Sequence, residues 1–227
     1  MSAPLAPPRA DADLISLLRA RGVPIVGVEG PVADDVVLVD IDDRAGTAQL
    51  AAHLRELGHR RVAVVAMPLR LDGTRGPVDA ARRARAHYRD VRHRIEGVED
   101  VFGPVPIVET ASNAVAEGET AGRALLSADV RPTAVIAQSD VLAAGVLQAA
   151  EGLGLRVPDD VSVVGFDGAD LPWLGAVRLT TVVQPTDAKG RAAARAAMAL
   201  VNGERPDGVL LPVALRIGTT SGPPPAA

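Results

Sequence analysis

Residues 161–166, VSVVGF, place the tightest limit on what this chain can fold into. The run is apolar and β-branched almost throughout and shows no in–out alternation. That is the pattern of a strand buried on both faces, as in a parallel sheet covered by helices on either side. Pro158-Asp159-Asp160 precedes it and Asp167-Gly168 follows it, so turn chemistry bounds it at both ends. Ligands of open parallel α/β sheets bind outside the carboxyl ends of the strands, which makes Asp167 the first candidate for a ligand contact. A second reading of Asp167 is the cap of the turn that follows.

The same grammar recurs along the chain. Residues 1–12 are rich in Pro and Ala and read as a loop or loose tail; Asp13 then caps a short helix carrying Leu14, Leu17 and Leu18 on one face and stopping at Gly22. A strand at 23–29, a turn around residues 31–35 and a second strand at 36–41 follow. From Arg44 the period turns helical, with Leu50, Leu54 and Leu57 inward and Gly58 closing the helix. Residues 61–67 form another continuous strand, 68–77 a loop, and 78–96 a helix crowded with arginine at positions 82, 83, 85, 89, 92 and 94. Arginines at nearly every angle, beside Glu96, Glu99 and Asp100, predict a solvated outer helix rather than a nucleic-acid patch. Strands at 106–109, 133–138 and 161–166 alternate with helices at 115–126 and 140–152. The LTTVVQP crossing, a helix at 187–201 and a last strand at 209–216 complete the chain. Strand, helix, strand, repeated, predicts an α/β fold with parallel pairing and right-handed crossovers.

Composition removes several classes of function. Cysteine is absent, so no disulfide, thiolate nucleophile or cysteine-bound metal is available, and a cytoplasmic setting is the simpler expectation. No apolar run approaches the roughly 20 residues of a membrane span, and the amino terminus lacks the pattern of an export signal. A net charge of −4 gives no general attraction to nucleic-acid phosphate, and 2% aromatic residues are too few for base-stacking platforms. The chain has no GxxxxGK[ST] loop and no GxSxG elbow, and Gly152-Leu153-Gly154 lacks the third glycine of a dinucleotide fingerprint. His53 and His59, like His87 and His93, are six residues apart, which misses the i,i+4 spacing of helical metal ligands. His59 reads as a turn residue. No catalytic residue, metal or cofactor is expected; binding without chemistry fits this inventory. Ser139 and Asp140 stand after the 133–138 strand as Asp167 stands after its own, with Asp140 also able to cap the helix it precedes.

The segments GHRR at 58–61, RPTAVIAQSD at 131–140, GLRVPDDVSVVGFD at 154–167 and LTTVVQP at 179–185 together closely resemble the effector-binding domain of the LacI/GalR family of bacterial transcription regulators. The resemblance runs from about Ser2 to Ser221. It implies two Rossmann-like lobes of the type I periplasmic-binding-protein kind, with a small polar effector, such as a sugar, in the cleft between them. The amino-terminal lobe, residues 1–45 completed by 183–207, is expected to be incomplete. Residues 46–182, completed by 208–221, form the other lobe, and 222–227 a tail. Arg94, in Arg94-Ile95-Glu96-Gly97, resembles the family's Arg-x-x-Gly, whose arginine holds the effector together with the aspartate matched by Asp167; Arg85 is a competing assignment. Glu29 matches an acidic or polar position of the opposite lobe. Asn113 falls where many members stack an aromatic ring on the sugar, which implies a smaller or more polar ligand here. Trp173 is placed either to line the cleft or to pack at a subunit interface. A homodimer is implied, with DNA contacted only through an amino-terminal helix-turn-helix that this chain lacks. Residues 1–5 look like the end of the lobe's third strand, so a truncated gene product or a remnant of a longer regulator is expected. The alternatives are a solute-binding protein of sugar transport and an enzyme using Asp167 and Arg94.

Overall fold

The structure, a computed structural model, describes residues 10–30 and 35–226. The chain divides into two compact units: residues 1–40 with 186–211, and 41–185 with 212–227. The turn expected around 31–35 and the strand end expected at 1–5 fall largely or wholly outside the described residues.

The larger unit is built on a seven-stranded sheet in the order β10-β8-β7-β6-β3-β5-β4. Its centre is the parallel set β3 (Val62–Ala66), β5 (Ile107–Glu109), β6 (Ala134–Ala137), β7 (Ser162–Asp167) and β8 (Thr180–Val183). β10 (Ala214–Arg216) and β4 (Gly76–Pro77) close the edges in antiparallel sense. Every residue of β3, β5 and β6 is buried, as continuous apolar runs between two helical layers require. α2 (Asp43–Glu56) and α4 (Arg89–Phe102) pack together, as do α5 (Val115–Leu126) and α6 (Asp140–Gly152). Gly145 makes the second pair possible: a Cβ there would lie 2.1 Å from the Val115 carbonyl oxygen.

The smaller unit carries a three-stranded sheet, β1-β2-β9, formed by β1 (Ile25–Val28), β2 (Val36–Ile41) and β9 (Val209–Leu211). α1 (Ala10–Ala20) and α7 (Thr186–Val201) belong to it. Leu17, Val28, Met198, Val201 and Leu210 are all exposed here.

Several expectations are corrected. α1 starts at Ala10, so Asp13 lies inside its first turn rather than ahead of it, and Leu17 is exposed, not inward. The 78–96 helix is two helices, α3 (Ala80–Ala84) and α4, because the chain between them is bonded elsewhere: His87 N donates to Leu69 O at 2.8 Å. The 68–77 loop pairs briefly with β5 through β4. LTTVVQP holds a full strand, β8. The 209–216 strand is two, β9 and β10, serving different sheets on either side of Pro212, which has no N–H to give a ladder.

Candidate functional site

Arg94 is the centre of a buried cluster at the carboxyl end of the large sheet. On α4 it is one turn before Gly97, so both face α2. A Cβ at Gly97 would lie 2.4 Å from the Arg44 carbonyl oxygen, so only glycine lets the helices approach this closely. That approach brings the guanidinium to α2's first turn, where Nε donates to Asp43 Oδ1 at 2.7 Å. Nη1 donates to the Gln138 carbonyl oxygen at 2.5 Å, and the guanidinium carbon stands 3.7 Å from the centre of the Phe166 ring. Both partners of the Arg94–Asp43 pair are almost fully buried, with side-chain exposures of 4%. The Arg-x-x-Gly spacing thus has a packing reason.

Asp167 ends β7. Its Oδ1 lies 3.6 Å from Arg94 Nη1 and accepts from Gln184 Nε2 at 2.7 Å. Unlike Arg94, it keeps 31% of its side chain exposed. Its φ is +122°, a conformation that L side chains rarely adopt. Glu29, just past β1, is the other non-glycine residue with positive φ among the described residues, at +54°. Backbone strain of this kind collects at ligand clamps. Glu29 accepts from Lys189 Nζ at 2.9 Å within the smaller unit.

Ser139 caps α6 by accepting from Leu142 N at 3.1 Å, and its hydroxyl also donates to Asn113 Oδ1 at 2.5 Å. Asn113 itself is exposed. Asp140 neither caps the helix nor reaches solvent. It is fully buried, accepting from Thr181 Oγ1 at 2.5 Å and from Ala169 N at 2.6 Å, and burial pushes its pKa up from the ordinary carboxylate range. Through Ala169 N it pins the loop after β7. Arg85 stands exposed at the end of α3. Trp173, 59% exposed, lies on a 3₁₀ turn, Pro172–Leu174, and lines a surface recess with Leu147, Leu155, Val157 and Val177.

A second ionic cluster escaped sequence reasoning. Glu109, the last residue of β5, is buried and accepts from Leu69 N at 2.7 Å and from Arg82 Nε and Nη2, both at 2.8 Å. Arg82 also holds Asp72 through Nη1 at 2.7 Å and Nη2 at 2.9 Å, and its bonds hold the Asp72 carboxyl well below the usual range. Arg83 pairs with Glu99. The arginine-rich stretch is therefore no solvated face; much of it is tied into ion pairs. The available signal was an acid closing an apolar strand, as Asp167 and Glu29 do.

At the opposite end of the sheet, His59 is buried beneath the turn expected for it. Its Nε2 donates to the Gly222 carbonyl at 2.9 Å, and Nδ1 faces Thr133 Oγ1 at 2.8 Å. Burial lowers its pKa.

Charged groups gathered at strand ends, around a partly exposed carboxylate, are the arrangement found in ligand-binding proteins of the α/β class. The sequence profile of the periplasmic binding protein-like domain matches residues 51–221. HTH-type transcriptional regulator MalR of Streptomyces coelicolor is 35% identical over 86% of this chain and 54% of its own length. The ribose operon repressor of Halalkalibacterium halodurans is 32% identical over 72% of this chain and 45% of its own length. The crystal structure of a LacI-family transcriptional regulator from Corynebacterium glutamicum superposes with a TM-score of 0.83 at 30% identity, covering 91% of this chain and 63% of that one. This chain belongs to the periplasmic binding protein-like family, as the effector-binding domain of a LacI-family regulator. It spans about half the length of these curated relatives, which are regulators and not enzymes. No helix among the described residues is long and apolar enough to cross a membrane.

Proposed function

We propose that this chain senses a small polar effector, of sugar type, for a transcriptional regulator acting inside the cell, and that Arg94 and Asp167 hold that effector. The observation that carries this reading is the 3.6 Å approach of a buried, anchored guanidinium to a partly exposed carboxylate at the end of β7. Guanidinium and carboxylate together offer a fork of donors and a set of acceptors, which matches a polyol. Asn113, steadied by Ser139, adds an amide at the same end of the sheet. Asp140 supports the loop that carries Asp167's neighbours, and Trp173 belongs to a surface contact, with a second copy of the chain as its proposed partner. The relative named for a ribose operon supports a sugar as the effector class. Effector binding biases the regulator's conformation, and DNA is contacted through the helix-turn-helix of the full-length protein.

The test is a thermal-shift screen of sugars and polyols against the 227-residue chain, repeated with Asp167→Ala and Arg94→Ala. Loss of a charged hydrogen-bond partner costs about 1.5–3 kcal/mol, so the ligand-induced shift should vanish in both variants. Ligand shifts that persist in both would remove this site from consideration. Loss of the shift in Arg85→Ala alone would transfer the role to that residue.

A further inference from the structure

Arg94 rides on α4, so whatever fixes the start of that helix fixes the guanidinium on which the proposed site depends. Two buried side chains, at strand ends on either side of β3, do so. Gln138, just past β6, donates from Nε2 to the Val91 carbonyl in the first turn of α4 at 2.9 Å. Its Oε1 accepts from Met67 N, just past β3, at 3.1 Å. Glu109, at the end of β5, accepts from Leu69 N at 2.7 Å, and the Leu69 carbonyl accepts from His87 N at 2.8 Å, two residues before α4 begins. Leu69 itself is fully buried. The path out of β3 and the path into α4 are therefore joined at Leu69, and Glu109 holds that residue.

Between those two paths, residues 70–86 make an excursion with little apolar burial to fix it. α3 has five residues, none of them buried, and a helix this short has no stability of its own. β4 adds a pairing of two residues. Arg82 closes the excursion: Nε and Nη2 both donate to the Glu109 carboxylate at 2.8 Å, while Nη1 and Nη2 donate to Asp72 at 2.7 and 2.9 Å. One guanidinium thus joins the outgoing chain, α3 and the end of β5. The Glu109 side chain is 1% exposed and that of Arg82 17%, so water screens this pair little. Arg75 and Arg83, which tie the same stretch to Glu117 and Glu99, are more open.

Resting on the assignment of Arg94 to the effector, we infer that Glu109 is a positioning residue of the effector site and Arg82 its latch. The pair acts on the ligand through the connection between β3 and α4. With the latch closed, Leu69 and His87 hold the start of α4, and Arg94 meets the effector already in place. Opening the latch frees the connection and leaves the sheet intact, as a local opening does. Reordering then accompanies binding, and affinity falls although no ligand contact is lost. Gln138 and the packing against α2 still hold α4, so the loss is partial.

The experiment follows both the connection and the site in the 227-residue chain. Hydrogen exchange read by mass spectrometry reports on residues 68–88, and calorimetric titration with D-ribose and with D-glucose reports affinity. Arg82→Met and Glu109→Gln each remove one charge, and the double variant removes both. Glu109→Gln keeps an acceptor for Leu69 N and leaves no acid buried without its cation, so it tests the latch even if Arg82→Met fails to fold. Exchange across 68–88 should quicken about tenfold in each variant, while β6 and α6 stay within about twofold. The sugar that binds wild type should bind each single variant about fivefold to thirtyfold more weakly, and the double variant no more weakly than the worse of the two, because a latch opens once. A pair that merely stabilises the fold would lower the melting temperature and leave affinity unchanged. Unchanged exchange, faster exchange with unchanged affinity, or losses that multiply in the double variant would each overturn the inference. Affinity unaffected by Asp167→Asn would instead contradict the site itself, whatever the latch does. If wild type binds neither sugar, the sugar reading loses its support and the positioning role falls with it.

Discussion

The large sheet has a buried polar cluster at each end, and the two are built in opposite ways. At the amino end, His59, Thr133, Ser162 and Gly222 exchange hydrogen bonds of 2.8–3.2 Å without a formal charge, tying the segment around Gly222 to the strands. At the carboxyl end, Arg94, Asp43 and Asp167 are charged, and the backbone of Asp167 is strained. A neutral, mutually satisfied network gives rigidity and asks nothing of solvent. A charged network with one member left open and one residue in an unfavourable conformation is held by its surroundings, as binding sites are. On the function proposed above, the two ends of one sheet divide the tasks of anchoring and recognition.

Substitutions should separate these tasks, the largest effect first. Arg94→Ala leaves Asp43 buried without its cation, which costs about 3–5 kcal/mol of stability. Chemical denaturation would measure it, and a variant as stable as wild type would show that the pair is not buried in solution. Gly97→Ala forces apart the α2–α4 contact that positions Arg94, for about 1–3 kcal/mol, and should weaken effector binding in step. Stability lost with binding intact would uncouple helix packing from the site.

His59 gives a pH signature. Its folded pKa lies below the ordinary value of about 6.5, so its contribution is complete above that value and is lost as pH falls through it towards the depressed one. Asp140 works in the other direction: its raised pKa means that acid relieves the cost of burying it. The difference in melting temperature between wild type and His59→Gln isolates the histidine, and should shrink between pH 7.5 and roughly 5. A constant difference would mean that His59 does not titrate on unfolding in that range. Smallest of all, Trp173→Ala should change the stability of the monomer by no more than about 0.5 kcal/mol, because the ring is exposed. Its effect should appear in sedimentation, as loss of self-association.

Much of the fold was legible because its signals are local. α5 and α6 begin and end where the helical period does, and Asp167 declares itself by closing a buried strand. What stayed hidden depends on partners distant in sequence. Asp43 meets Arg94 across 51 positions, and nothing in the pattern DIDDRAG says which of its acids turns inward. The break between α3 and α4 follows from the bond of His87 to Leu69. Glu109 left one signal, an acid closing an apolar strand, but Arg82 left none, since an arginine-rich helix looks solvated until its carboxylates are located. Strand-end position alone does not distinguish an acid facing a ligand from one buried behind the strand ends, as Asp140 is buried. Pro212 was legible and should have divided the last strand.

The most direct test compares the two ends of the sheet with one ligand. Calorimetric titration of a sugar found by the screen would be run on wild type, Asp167→Asn and His59→Gln at pH 7.5, where His59 is neutral. The account expects Asp167→Asn to weaken binding by about tenfold to a hundredfold, as loss of a charged hydrogen bond does, and His59→Gln to leave affinity within about twofold while lowering the melting temperature. Equal losses in both variants, or none in Asp167→Asn, would contradict it.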